Sequence, residues 1–104
     1  MRGAVYQFDG WTIDYDFRTA IKAGKSVSLA PKELDVLVFL IENMGKMAYR
    51  DDLMLHVWGE NIPADHTLDH MIYRLRTLLK TDAIKSVNKR GYYVHGRYYI
   101  EPPA

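Results

Sequence analysis

The 104-residue sequence contains no cysteine, so neither a disulfide nor a thiolate metal centre can hold the fold. That absence suits a reducing compartment such as the cytoplasm. There is no long apolar run either. The longest, residues 36–41, is far short of the roughly 20 residues that span a bilayer. Residues 1–20 carry acids and no apolar h-region, so no signal peptide is expected. No P-loop, dinucleotide-binding glycine pattern, or Ser-His-Asp or Cys-His arrangement appears, so the chain is read as a non-enzyme without a cofactor. What remains is an ordinary globular composition, 48% hydrophobic and 26% charged, which excludes disorder and low complexity. The length suits one domain with a true core.

The net charge of +1 says little, but its distribution says more. Residues 1–63 hold 7 basic and 9 acidic side chains, whereas residues 64–104 hold 7 and 4. A basic C-terminal part beside a mildly acidic N-terminal part points weakly to a polyanion.

Patterning along the chain gives the element order. Val5, Tyr6 and Phe8 lead into the turn signal Asp9-Gly10. Trp11, Ile13 and Tyr15 then alternate with polar residues, as on a half-buried strand. Ala23-Gly24-Lys25 reads as another turn, so residues 5–29 predict an antiparallel meander of two to four strands. Pro31 suits the first position of a helix, and Glu33 and Asp35 suit its dipole. Leu34, Leu37, Val38 and Ile41 form its apolar stripe, and Asn43-Met44-Gly45 ends it. Ala30 at the cap position offers no side-chain oxygen, a cost of about 1 kcal/mol.

Met47-Ala48-Tyr49 reads as a short extended segment. A second helix is expected over residues 50–57, with Leu53, Val57 and Trp58 facing inward. Asp65 is expected to cap a third helix reaching about Lys80. Ile84 and Val87 lead into a basic turn, Asn88-Lys89-Arg90-Gly91, whose tightness is assigned to Gly91. Tyr92, Tyr93 and Val94 return. Tyr98, Tyr99 and Ile100 extend this strand or form a tail, and Pro102-Pro103 ends regular structure. The three parts are residues 5–29, 30–80 and 81–100.

The third helix has two distinct faces. Leu68, Ile72, Leu75 and Leu79 recur at helical spacing and predict a narrow buried stripe. The opposite face carries His66, His70, Tyr73, Arg74 and Thr77, flanked by Met71, Arg76 and Lys80, with Asp69 at its edge. A helix fits the B-DNA major groove, where an arginine can donate two hydrogen bonds to guanine. Arg74 is the candidate base reader. His66, Tyr73, Thr77, Arg76 and Lys80 are placed for phosphates, and Lys89 and Arg90 for an adjacent minor groove. His66 and His70 also have the i, i+4 spacing of zinc ligands, but no third ligand is signalled, so no metal site is assigned.

At this point the residues resemble a family. Phe8-Asp9-Gly10-Trp11, Leu29-Ala30-Pro31-Lys32-Glu33-Leu34, Arg50-Asp51-Asp52-Leu53 and Val57-Trp58-Gly59 are similar to OmpR/PhoB-type winged helix-turn-helix domains. So are Thr67-Leu68-Asp69, Tyr73-Arg74-Leu75-Arg76 and Lys89-Arg90-Gly91-Tyr92. The resemblance covers about residues 5–95. It implies an α+β fold with an N-terminal antiparallel sheet, a three-helix core and a C-terminal wing. It implies a transcriptional regulator of double-stranded DNA, with the third helix in the major groove and the wing at the minor groove.

By position the resemblance gives DNA-facing roles to His66, Thr67, His70, Met71, Tyr73, Arg74 and Arg76, with Trp58 near the backbone. It implies a loop that touches RNA polymerase, here Gly59, Glu60, Asn61, Ile62 and Pro63, and head-to-tail homodimers on direct repeats. Departures fall at Ala30 and Tyr49, where the family has Ser or Thr, and at His66 and His70, where it has a basic and a small aliphatic residue. These bear on sequence preference rather than docking mode.

The wing is nearer the ToxR/CadC-like branch than the response regulators of two-component phosphorelay systems. A phosphoacceptor receiver domain is not expected within these residues. An excised effector domain, the cytoplasmic head of a membrane-anchored activator and a stand-alone regulator all remain open. The competing functional reading is a winged helix that binds proteins with little DNA affinity.

Overall fold

The computed structural model describes residues 3–97. The expectations for Tyr98, Tyr99, Ile100, Pro102 and Pro103 lie outside the described residues.

Four short strands, β1 (Val5–Phe8), β2 (Trp11–Asp14), β3 (Thr19–Lys22) and β4 (Lys25–Ser28), form an antiparallel sheet in sequential order. Asp9 and Gly10 both have positive φ and join Phe8 to Trp11, its cross-strand partner. Ala23 and Gly24 repeat this geometry between Lys22 and Lys25. Such two-residue turns match the twist of the flanking strands. The period of two buries Tyr6, Phe8, Trp11, Ile13 and Ala20 on one face. Tyr15 lies just beyond β2 rather than within it. It faces the helical layer and donates its hydroxyl to Asp35 at 3.0 Å.

Helix α1 (Pro31–Glu42) buries the whole expected stripe, together with Val36, Leu40 and Glu33. Its N-cap, Ala30, makes no side-chain bond, as expected. Glu33 compensates in part by reaching back to accept the Ala30 N–H at 3.0 Å. Helix α2 (Arg50–Trp58) follows strand β5 (Ala48–Tyr49) directly and runs one residue further than the apolar pattern suggested. Met54 joins Leu53 and Val57 in its buried set. Lys32 of α1 donates to the Val57 carbonyl at 2.8 Å, satisfying an acceptor at the α2 C-terminus.

Helix α3 spans Asp65–Leu78. Its cap is Ala64, not Asp65, because the extended backbone that precedes the helix ends at Ala64 and Asp65 is already helical. It also stops before Lys80, whose φ of 48° is left-handed. Strands β6 (Ile84–Val87) and β7 (Gly91–Val94) form the wing hairpin, and β7 also pairs with β5 to give the order β5-β7-β6. One buried cluster runs through the inner face of the first sheet, all three helices and the wing base.

Candidate nucleic-acid interface

The buried stripe of α3, Leu68, Ile72 and Leu75, continues into its C-cap Leu79, each at most 1% exposed. The other side follows from helical geometry. His66, His70, Tyr73, Arg74 and Thr77 are all exposed, and Thr67, Met71 and Arg76 are half-buried at the flanks. Lys80 is exposed but lies past the end of α3, so it does not continue this face. Tyr73 is 64% exposed, a large aromatic residue left open to solvent and suited to contact.

Two arginines expected on this face have partners within the chain. Arg74 Nε lies 2.5 Å from Oε2 of the buried Glu33. This charge-assisted bond raises the Arg74 pKa further above its already high value. Arg76 donates Nε and one terminal nitrogen to the Ile84 carbonyl at 3.0 and 2.7 Å, and reaches Ser86 Oγ at 3.1 Å. Its guanidinium also lies 5.9 Å from the centroid of the Tyr92 ring. Arg76 thus straps α3 to the first wing strand. Thr77 Oγ1 bonds back to the Tyr73 carbonyl at 2.9 Å.

Asp69 makes a second strap. One carboxylate oxygen accepts from Arg50 Nη1 at 2.5 Å and from the Tyr92 hydroxyl. A single side chain of α3 therefore joins the start of α2 and the return strand of the wing. The bond from Arg50, aided by that from Tyr92, lowers the Asp69 pKa. Burial, reinforced by the Asp69 bond, raises that of Tyr92.

The pH dependence follows from these directions. The Asp69 contribution to stability is full above the ordinary carboxylate pKa of about 3.9 and is lost as pH falls through the depressed folded value. The Tyr92 contribution is full below about 10 and is lost as pH rises through its raised folded value. Urea unfolding across pH is expected to show a shallower acid limb for Asp69→Asn than for the parent chain. Identical acid limbs would exclude Asp69 as a source.

The wing tip departs from expectation in one respect. Asn88 and Lys89 have φ of 48° and 60°, and Arg90 N–H closes the turn on the Val87 carbonyl at 2.8 Å. The two left-handed positions fall on Asn88 and Lys89, as in a type I′ turn, and not on Gly91. Gly91 is required for another reason. A Cβ there would lie 2.2 Å from the Ala48 carbonyl oxygen, so only glycine lets β5 pair with β7. Lys89 and Arg90 are both exposed at the tip.

Trp58, half-buried, ends α2, and Gly59 at φ 61° begins the following loop. Glu60, Asn61 and Ile62 are exposed, and Pro63 is half-buried. The exposure of the α3 face, of the basic tip and of residues 60–62 agrees with the sequence pattern, Lys80 apart. Glu33, Arg50 and Tyr92 were not singled out as organisers of the site, and Asp69 was placed only at an edge. Their partners are distant in sequence, and no local pattern marks them.

Comparison with known proteins decides the family. The model for the C-terminal domain of transcriptional regulatory proteins matches residues 24–94. The chain belongs to this family. It is 38% identical over 82 residues to the transcriptional regulatory protein VxrB of Vibrio cholerae, covering 78% of this chain and 34% of that protein. It is 30% identical over 98 residues to the transcriptional activator CadC of Escherichia coli, covering 88% of this chain and 19% of that protein. This member of the family therefore spans about a third or less of those relatives.

Among solved structures, the DNA-binding domain of E. coli CadC superposes with a TM-score of 0.79 at 28% identity, over 86% of this chain and 90% of that one. The Klebsiella pneumoniae RstA DNA-binding domain, solved in complex with the RstA box, gives 0.72 at 28% identity, over 88% and 96%. The winged-helix architecture of the family is thus present here, with an N-terminal sheet, three helices and a C-terminal hairpin.

Proposed function

We propose that this domain binds double-stranded DNA sequence-specifically as the regulator module of a transcription factor, with α3 in the major groove and the wing at the minor groove. The observation that carries the reading is the exposed α3 face of His66, His70, Tyr73, Arg74 and Thr77, backed by a fully buried stripe and strapped to a wing with a basic tip. The likeness to the RstA DNA-binding domain, solved in complex with the RstA box, supports DNA binding by this fold. The domain is a binding module with no catalytic step. His66, Thr67, Met71 and Tyr73 border the groove, Trp58 and Lys80 approach the backbone, and Lys89 and Arg90 neutralise phosphate at the wing. Arg76 acts chiefly by fixing the wing.

The loop of Gly59, Glu60, Asn61, Ile62 and Pro63, exposed at its centre, is the proposed contact for RNA polymerase, and a head-to-tail homodimer on DNA is the proposed assembly. The proposed compartment is the cytoplasm, whether the domain acts alone or heads a longer membrane-anchored protein.

Fluorescence anisotropy of labelled duplex DNA at several salt concentrations tests the reading. Affinity is expected to fall steeply with salt, by about 0.9 in log K per log salt for each phosphate neutralised. Lys89→Ala/Arg90→Ala is expected to flatten that slope by up to about two such increments and to weaken all sequences alike. No binding at low salt would sink the reading in favour of a protein-interaction module.

A further inference from the structure

Among the described residues, Arg74 and Glu33 pair an exposed cation of the α3 face with a buried anion. The Arg74 side chain is 57% exposed and that of Glu33 only 5%. Both carboxylate oxygens of Glu33 have partners: Oε1 takes the Ala30 N–H at 3.0 Å and Oε2 takes Arg74 Nε at 2.5 Å. The carboxylate is therefore held by one oxygen to the start of α1, a helix packed into the core, and holds Arg74 by the other. Arginine has five N–H donors in a rigid planar fork. Nε is the innermost, so anchoring it leaves the two terminal nitrogens at the solvent end. The nearest cation on α1, Lys32, is engaged with the Val57 carbonyl and does not compete for Glu33.

From this geometry we infer that Glu33 is a specificity-determining positioning residue: it holds the Arg74 guanidinium by its inner edge so that the terminal nitrogens present a fixed donor pair to one base. The inference rests on the DNA-binding reading and goes beyond it, because Glu33 itself lies buried behind the interface. A fixed plane matters for the guanine edge, whose two acceptors demand two parallel donors. A free arginine would reach phosphates of any sequence equally well. Lysine at position 74 could satisfy Glu33 or DNA but not both, since its single ammonium has no separate inner donor.

Arg74→Ala is a poor test, because it strands a buried carboxylate and threatens the fold. Glu33→Gln is better, since its amide oxygen can still accept the Ala30 N–H while the anionic anchor is gone. Arg74→Lys keeps the charge and removes the fork. The probe is a labelled duplex selected from a random library by the parent chain, with its single-base-pair substitutions and an unselected duplex beside it. Thermal melting of each variant gives its folded fraction.

For the parent chain, one base-pair change is expected to cost roughly 5- to 150-fold in affinity. Glu33→Gln is expected to reduce that ratio to a few-fold at the same base pair while leaving affinity for unselected DNA nearly unchanged. Arg74→Lys is expected to reduce the ratio likewise, with the salt slope preserved because the charge is kept. A purely structural Glu33 would instead weaken selected and unselected DNA equally, and that result overturns the inference. So does full discrimination by Glu33→Gln. A parent chain that selects no duplex and shows no salt-dependent binding refutes the DNA-binding reading first, a distinguishable failure.

Discussion

Gly91→Ala is expected to cost about 3 kcal/mol or more, at the upper end of overpacking in a well-packed site. The added Cβ would meet the Ala48 carbonyl oxygen at 2.2 Å and the Tyr49 Cα at 3.0 Å. Both are backbone atoms, so no side-chain rotation relieves the contact. Either β5 separates from β7 or the wing shifts as a body. Since Ala48 is itself buried and Arg50 N–H bonds the Arg90 carbonyl at 3.0 Å, separation opens the core and frees the start of α2. At roughly 4–8 °C per kcal/mol for a domain of this size, the melting temperature should fall by more than about 10 °C. A loss of under about 1 kcal/mol would mean that the β5–β7 pairing yields easily and that Gly91 is not held by this contact.

Trp11→Ala should be at least as damaging, about 3–5 kcal/mol. The ring is buried on the inner face of the first sheet, and its indole N–H donates to the Leu79 carbonyl at 3.0 Å. That carbonyl lies at the end of α3, where acceptors lack helical donors. Removing the ring leaves both a cavity and an unsatisfied buried acceptor. Trp11→Phe separates the two effects, since it keeps most of the apolar volume and loses only the donor and part of the ring. Its expected cost is about 1–3 kcal/mol. Urea unfolding of the three forms measures the series. Equal losses for the alanine and phenylalanine variants would assign the effect to what both remove, the hydrogen bond and the outer part of the ring.

The elements were legible in the sequence because their signals are local. Asp9-Gly10 and Ala23-Gly24 supply the backbone their turns need, and the stripes of α1 and α3 follow from helical periodicity alone. The exposed face of α3 was legible as the complement of its buried one. The connections were not. Glu33 reads as an ordinary first-turn acid, and only the packing of α1 on α3 shows that its partner lies 41 residues away. Asp69 looks like an edge residue until Arg50 and Tyr92 converge on it. Gly91 sits in a turn-like tetrapeptide, but its role is set by a strand more than forty residues earlier. The helix start at Ala64 was misplaced by one residue because Asp is such a common cap.

The pairing of β5 with β7 also bears on the order of folding. The first sheet joins neighbours in sequence, whereas Ala48 must find Tyr92. Closing such a loop costs about 3 kcal/mol of chain entropy beyond a constant. Contacts of this range form late, after the meander and helices have shortened the effective distance. The wing sheet should thus be the last element to close and the first to open, so its amide protons should exchange sooner than those of α1. The basic tip then rides on a late-closing element, and any polyanion that grips it would slow its opening.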